Sequence, residues 1–234
     1  MYQHIYKRII DNFKNDKVNL IAIHGPQGVG KSTTCKKLEI ELNKLYPTIV
    51  LSLDDFYLNY LDMKKFLNSQ QNELYKYRGL AGTHDLELMY SVISKLLKQV
   101  PCEVPIFDKN KYQGFGDRVD YRITKKKYRI IILEGWLLGY KPIVNLADCQ
   151  YSLFNKYLEK YNKIQTMFDE LIVLEAEDIN YIYNWRLEAE DKNGLNFENF
   201  ERFMKPYLVI YKNYIVNTQD KLIINKDRKI INDI

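Results

Sequence analysis

Short apolar runs alternate along this chain with longer stretches whose apolar positions recur every three or four residues. The runs Val18–Ile23, Thr48–Leu53, Tyr128–Leu133, Leu171–Leu174 and Lys221–Ile224 predict β-strands. Runs that are apolar throughout predict strands covered on both faces, as in a parallel sheet. Lys31–Tyr46 predicts a helix that Pro47 ends. Asp85–Gln99 carries Leu86, Met89, Val92, Ile93, Leu96 and Leu97, a helical stripe. Further helices are expected over Asp178–Asn193 and Phe197–Tyr214, and Ile5, Ile9 and Phe13 predict a packed helix ahead of the first strand. Strands alternating with helices up to the C-terminus, with no repeat and no low-complexity linker, predict one α/β domain over residues 1–234.

Composition narrows this frame only a little. Hydrophobic residues make up 46% of 234, a globular balance with ample material for a core. A net charge of +5 suits a protein that handles anions and gives no reason to expect nucleic acid as a partner. Lys125, Lys126 and Lys127 read as a solvated loop. Cys35, Cys102 and Cys149 stand apart, without metal-site spacing, and are expected to be reduced structural thiols of a cytoplasmic protein. No apolar run reaches membrane-spanning length, and a first strand near Val18 leaves little room for a transit peptide.

The chemistry is concentrated in three places. Gly25-Pro26-Gln27-Gly28-Val29-Gly30-Lys31-Ser32, followed by Thr33, fits the phosphate-binding pattern G-x-x-x-x-G-K-S/T and lies between a predicted strand and a predicted helix. Glycines let successive backbone N–H groups curl around a phosphate chain, and the helix adds the positive end of its dipole. Lys31 would reach the β and γ phosphates, and Ser32 would offer its hydroxyl to Mg2+. Ile130-Ile131-Ile132-Leu133-Glu134-Gly135-Trp136 ends a strand on a carboxylate; beside a P-loop, Glu134 is placed for the metal, whereas alone it would read as a turn residue. Leu51-Ser52-Leu53-Asp54-Asp55-Phe56-Tyr57 ends a second strand on two carboxylates. One of these could take a proton from a hydroxyl acceptor while the other caps the next turn.

Lysine far outnumbers arginine, which makes each arginine a marked choice, and planar bidentate recognition of phosphate or carboxylate is the main reason to need one. Arg78, Arg118 and Arg186 each sit in a motif-like context; a surface ion pair is the competing reading for each. Asp178 can cap the helix that carries Arg186, Gly194 can follow its end, and Glu190 is the surface partner that would make Arg186 unremarkable. The nearest approach to the guanine motif N-K-x-D, Asn225-Lys226-Asp227, is one residue short, which argues against a GTP switch.

Seven segments occur in a recognisable order: Gly25–Thr33, Asp54-Asp55-Phe56-Tyr57, Arg78-Gly79-Leu80-Ala81-Gly82-Thr83-His84-Asp85, Phe107-Asp108-Lys109, Gly116-Asp117-Arg118, Leu133-Glu134-Gly135-Trp136-Leu137-Leu138-Gly139 and Trp185-Arg186-Leu187-Glu188-Ala189-Glu190. Together they resemble the D-glycerate 3-kinase family of plants and the related fungal ATP-dependent kinases, themselves similar to uridine kinase, phosphoribulokinase and pantothenate kinase. The resemblance implies a three-layer P-loop NTPase fold with a doubly wound, mainly parallel sheet and a helical lid over about residues 176–212. It also implies ATP with Mg2+ and a small hydroxylated acceptor. It casts Asp54 as general base, Glu134 as metal-side acid and Arg186 as a lid arginine, and it places Tyr57, Arg78, His84, Asp108, Lys109 and Arg118 around the acceptor. Leu80 and Phe115 depart from the pattern, Leu80 where plant members carry Asn and Phe115 where a polar residue is usual. Three functions follow: a glycerate-type kinase, the same chemistry on a nucleoside or pantothenate, with Tyr57, Tyr112 and Phe115 as an aromatic slot, or a non-catalytic ATP-dependent module.

Overall fold

Five parallel strands form the centre of the molecule in the order β2-β5-β1-β6-β7: β1 Asn19–His24, β2 Thr48–Ser52, β5 Ile130–Gly135, β6 Glu170–Ala176 and β7 Lys221–Ile224. The computed structural model describes residues 1–125, 127–144, 149–191, 197–216, 218 and 220–232. β1 and β5 are buried at every position, as expected for all-apolar strands in mid-sheet. Their alternate residues feed two cores. Leu20, Ala22, Ile131 and Leu133 face one side with α4 (Leu86–Leu97) and α8 (Phe197–Asn213). Ile21, Ile23, Ile130 and Ile132 face the other with α1 (Tyr2–Asp11), α2 (Lys31–Leu42) and α7 (Ile179–Asp191). Each fully buried aliphatic side chain contributes about 1.5–3 kcal/mol, so α1 is held chiefly by Ile5 and Ile9.

The predicted elements are present with shifted ends. Helix α2 stops at Leu42 rather than Tyr46, because Asn43 turns the chain: its Nδ2 donates to the Glu39 and Thr48 carbonyls, and its Oδ1 accepts from the Thr48 amide. Strand β2 stops at Ser52, whose hydroxyl accepts from the Asp54 amide and starts a 3-10 turn over Leu53–Phe56. α8 runs through Pro206. Five elements were not predicted from the sequence: α3 (Tyr60–Ser69), the short helices α5 (Ser152–Leu158) and α6 (Asn162–Gln165), and β3 (Cys102–Asp108) and β4 (Asp117–Thr124), an antiparallel hairpin that forms its own two-stranded sheet. The hairpin matters most, because it brings Asp108, Lys109 and Arg118 back over the carboxyl end of β2. Lys126, Asn193 and Gly194 lie outside the described residues, as do the side chains of Cys149 and Glu190. Cys35 and Cys102 are buried thiols. Among the described residues no helix is long and apolar enough to cross a membrane.

Candidate active site

The chain leaves β1, passes to the edge strand β2, and returns to β5 between them before crossing to β6 on the other side of β1. In such sheets ligands bind beyond the carboxyl ends of the strands where the order reverses. The register aligns Ser52 of β2 with Glu134 of β5 and Ile23 of β1, so three consecutive carboxyl ends open on one crevice.

The loop Gly25–Gly30 rises from β1 into this crevice. Gly28 and Gly30 have φ of +80° and +98°, and a Cβ on Gly28 would lie 2.7 Å from Cβ of Trp185, so glycine is required there twice over. Val29 is fully buried and anchors the loop to the core beneath it. Ser32 and Thr33, at the exposed start of α2, leave their surroundings open. Lys31 folds back on its own loop, its Nζ donating to the carbonyls of Gly25 (2.8 Å) and Pro26 (2.9 Å). Burial pushes its ammonium below the ordinary lysine range, opposed by the carboxylates of Glu134 and Asp54. Glu134 is 6% exposed, and its Oε1 accepts from Ser32 Oγ (2.8 Å) and Ser52 Oγ (3.1 Å). A hydroxyl and a carboxylate in contact are hard oxygen donors of the kind Mg2+ takes, so this pair fits a magnesium site.

Asp54 and Asp55 leave the same turn in different directions. Neither caps it, since Ser52 does. Asp55 accepts from the Phe107 amide (3.3 Å) and so ties the turn to β3. Asp54 pairs with Lys109 at 2.5 Å. Burial alone would raise the Asp54 carboxyl; the Lys109 ammonium outweighs it, and the carboxyl is held at about 2.

Beyond Asp54 lies an aromatic floor. His84 stacks on Tyr57, with centroids 4.3 Å apart, and the two residues form an antiparallel bridge. The Arg78 guanidinium lies 5.8 Å from the ring centroids of both Tyr57 and Phe107 and makes no hydrogen bond or ion pair with any described residue. His84 is 4% exposed, and burial drops its pKa to about 4 despite the nearby Asp54 carboxylate. The segment Arg78–Asp85 can now be read physically. Gly79, at φ +132°, gives way to the Tyr207 hydroxyl. Thr83 Oγ1 accepts from the Gly79 amide and donates to the Leu80 carbonyl, closing the loop. Asp85 caps α4 through the Leu88 amide.

The other expected residues are placed less uniformly. Arg118 is engaged structurally: its Nη2 donates to Asp85 (2.7 Å) and its Nε to the Tyr57 carbonyl (3.1 Å), so it ties the start of α4 to the turn after β2. Asp108 accepts from the Asn110 amide at the hairpin's end. Arg186, on α7, lies 5.6 Å from the Phe203 ring and close enough to Tyr207 and Tyr211 to lower their hydroxyl pKa values against the upward push of burial. Ile182 and Trp185 of the same helix are buried, and Asp178 Oδ1 accepts from the Asn180 amide at its start. Tyr112 stacks on Tyr60 (3.8 Å) and Tyr57 on His84, so these rings are already partnered and do not line an open aromatic slot with Phe115.

Several residues of this region carried no sequence signal. Tyr211 accepts from the Gln27 amide of the P-loop (3.1 Å), and Tyr161 hydrogen-bonds His84; each sits in an element without a chemical motif. Arg228 was open to the same argument as the other arginines. Its Nε donates to the Gly28 carbonyl (2.8 Å) and its Nη2 to Glu188 (2.8 Å), linking the last turn of the chain to both the P-loop and α7.

No family model matches the chain. It is 34% identical to the uncharacterized kinase mug58 of Schizosaccharomyces pombe, over 88% of this chain and 84% of that protein. It is 32% identical to the probable ATP-dependent kinase TDA10 of Saccharomyces cerevisiae, over 83% and 77%. It is 34% identical to the chloroplastic D-glycerate 3-kinase of Arabidopsis thaliana over 84% of this chain, which spans 47% of that longer protein. Its fold is that of the solved D-glycerate 3-kinase of Cryptococcus neoformans, with a TM-score of 0.84 and 24% identity, covering 99% of this chain and 95% of the other. With this P-loop, this sheet order and these relatives, the chain belongs to the family of ATP-dependent P-loop kinases that holds D-glycerate 3-kinase and its fungal relatives.

Proposed function

We propose that this kinase transfers the γ-phosphoryl group of ATP to a hydroxyl of D-glycerate or a closely related small hydroxy acid. The observation that carries the reading is the crevice itself: Lys31, the Ser32–Glu134 contact and the Asp54–Lys109 pair stand on three adjacent strand ends, and the Arg78 guanidinium, which has no hydrogen bond or ion pair among the described residues, lies against Tyr57 and Phe107. An arginine held against aromatic faces suits a carboxylate.

In this reading the backbone amides of Gly25–Thr33 cradle the phosphates, and Lys31 leaves its two loop carbonyls to reach the β and γ phosphates. Ser32 and Glu134 would hold Mg2+, whose chemistry there would be to offset phosphate charge. Asp54 takes the acceptor's hydroxyl proton while that oxygen bonds to the γ phosphorus and the bond to ADP breaks. A carboxylate held at about 2 is a weak base, so Lys109 has a second part to play. When the ammonium turns from Asp54 to the incoming phosphate, the main downward influence on Asp54 is removed and burial raises its basicity. Arg186 brings a cation to the transferring group from the lid.

The nucleoside reading loses its aromatic slot to the Tyr57–His84 and Tyr60–Tyr112 stacks. A panel of D-glycerate, uridine, cytidine, pantothenate and ribulose 5-phosphate, assayed for ADP release with the purified chain, tests the proposal. Preference for D-glycerate is expected; a preference for a nucleoside, or acceptor-independent hydrolysis alone, rejects it.

A further inference from the structure

His84 is a buried imidazole with two unlike nitrogens. Nδ1 lies 2.6 Å from the Tyr161 hydroxyl, and Nε2 has no partner among the described residues. Tyr161 is itself buried, in the 3-10 turn Glu159–Tyr161, and among the described residues its hydroxyl hydrogen-bonds His84 alone. A phenol has one proton to donate, and a bare imidazole nitrogen accepts it. His84 Nδ1 is the acceptor within reach. Had Nδ1 carried the proton, the ring would donate to the phenol oxygen and the phenol proton would be left without an acceptor in a buried place, which is the costly arrangement.

We infer that Tyr161 fixes His84 in the tautomer protonated at Nε2, so that His84 presents a neutral N–H donor to an oxygen of the acceptor. This rests on the reading of the crevice as a kinase site. His84 does not drift, because its ring stacks on Tyr57 and its backbone is bridged to the same residue. Its charge is also settled, since burial holds its pKa near 4 and the ring is neutral at working pH. An unfilled donor buried beside Asp54, on the aromatic floor that Arg78 also touches, needs an oxygen that accepts without donating. A carboxylate on the carbon next to the reacting hydroxyl meets both: Arg78 balances its charge and His84 receives its second oxygen. A protonated ring nitrogen or an ammonium at that place would set donor against donor.

Tyr161 is thus a positioning residue for acceptor recognition. The chain has three histidines, so a long-range proton–nitrogen spectrum of the full chain labelled with 15N at histidine resolves them, with His84→Gln assigning one. At neutral pH the His84 signal is expected to show a protonated Nε2 and a bare Nδ1. In Tyr161→Phe the two nitrogens should move toward averaged shifts, and the acceptor KM should rise roughly three- to tenfold, with the ATP KM unchanged. His84→Gln keeps an N–H near the Nε2 position and should retain most of the acceptor affinity that His84→Leu loses. A His84 protonated at Nδ1, or charged at neutral pH, overturns the inference from the parental spectrum alone, even if Tyr161→Phe does not fold. So does a Tyr161→Phe enzyme with changed melting temperature but unchanged acceptor KM. Should the acceptor panel return no hydroxy acid, the hydroxy-acid reading fails while the nitrogen spectrum still reports the tautomer.

Discussion

The two halves of the crevice are built on different principles. The phosphate side is made of backbone: a loop between β1 and α2, glycines at positive φ, and side chains that satisfy each other at rest, with Lys31 on its own carbonyls and Ser32 on Glu134. The side proposed for the acceptor is made of side chains drawn from separate segments: Tyr57 after β2, Arg78 and His84 before α4, Lys109 on the hairpin and Tyr161 between α5 and α6. Here the Arg78 guanidinium and Nε2 of His84 have no hydrogen-bond partner among the described residues. A phosphate chain is the same for every kinase of this type and can be met by a preformed backbone cradle. An acceptor is particular, and its recognition is left to groups that wait for it.

The sharpest way to break this division is at its phosphate end. Lys31→Ala removes a cation aimed at charge that builds up in transfer, and kcat should fall by about 10³ or more while the melting temperature holds. Turnover near the parental level in a folded variant removes Lys31 from the chemistry. Asp54 stands at the seam between the halves. Asp54→Asn should lower kcat by about 10²–10⁴ with the ATP KM little changed. Asp55→Asn should be milder, because Asp55 serves the Phe107 amide. The opposite ranking would assign the base to the wrong aspartate.

Two arginines then separate recognition from support. Arg78→Lys exchanges a planar fork for a point charge and should raise the acceptor KM roughly ten- to a hundredfold, leaving stability nearly unchanged. Arg118→Lys should instead lower the melting temperature, since Arg118 already holds Asp85 and the Tyr57 carbonyl. If both act on KM alone, the difference drawn between them is wrong.

A smaller effect is visible in the pH profile. Asp54 sits at about 2 because Lys109 outweighs the burial that would raise it. Its carboxylate is therefore ionised across the usable range, and its contribution to stability is lost only as pH falls from the ordinary aspartate value toward 2. Lys109→Met leaves the burial without its counterweight. The acid limb of kcat/KM should move to higher pH than in the parent, and an unmoved limb would show that Lys109 does not set the state of Asp54.

Legibility followed the same division. The P-loop, the strand ending in Glu134 and the strand ending near Asp54 could be read because local spacing and all-apolar runs are written in neighbouring residues. The helix stripe from Leu86 to Leu97 was legible for the same reason, whereas the capping role of Asp85 emerged only from the structure. The β3–β4 hairpin was not: Val119, Tyr121 and Ile123 alternate with polar residues but face outward and exposed, so no core run marks β4, and Pro105 stands inside β3. The Tyr161 contact joins residues 77 positions apart, and no local pattern reports such a meeting. Arg118 shows the limit from the other direction. Its segment was recognisable by resemblance, yet whether a guanidinium faces the ligand or the scaffold depends on where Asp85 and the Tyr57 carbonyl come to lie.

That last distinction can be tested at Asp85, which performs two tasks with two oxygens. Oδ1 accepts from the Leu88 amide and caps α4; Oδ2 accepts from Arg118. Asp85→Asn keeps the capping oxygen, since Asn is as good a cap as Asp, and presents an amide or a neutral carbonyl to the guanidinium. The Arg118 side chain is only 13% exposed, so water compensates it poorly once the carboxylate is gone. A lost hydrogen bond between charged groups in such a place is worth about 1.5–3 kcal/mol. The expected result is a loss of stability of that order in urea unfolding, with the m-value unchanged and the acceptor KM within a few-fold of the parent. Asp85→Ala removes the cap as well and should lose about 1 kcal/mol more. Were Asp85→Asn to leave stability intact and raise the acceptor KM as strongly as Arg78→Lys, Arg118 would belong to the recognition surface, and the division between scaffold and waiting donors would have to be redrawn to include it.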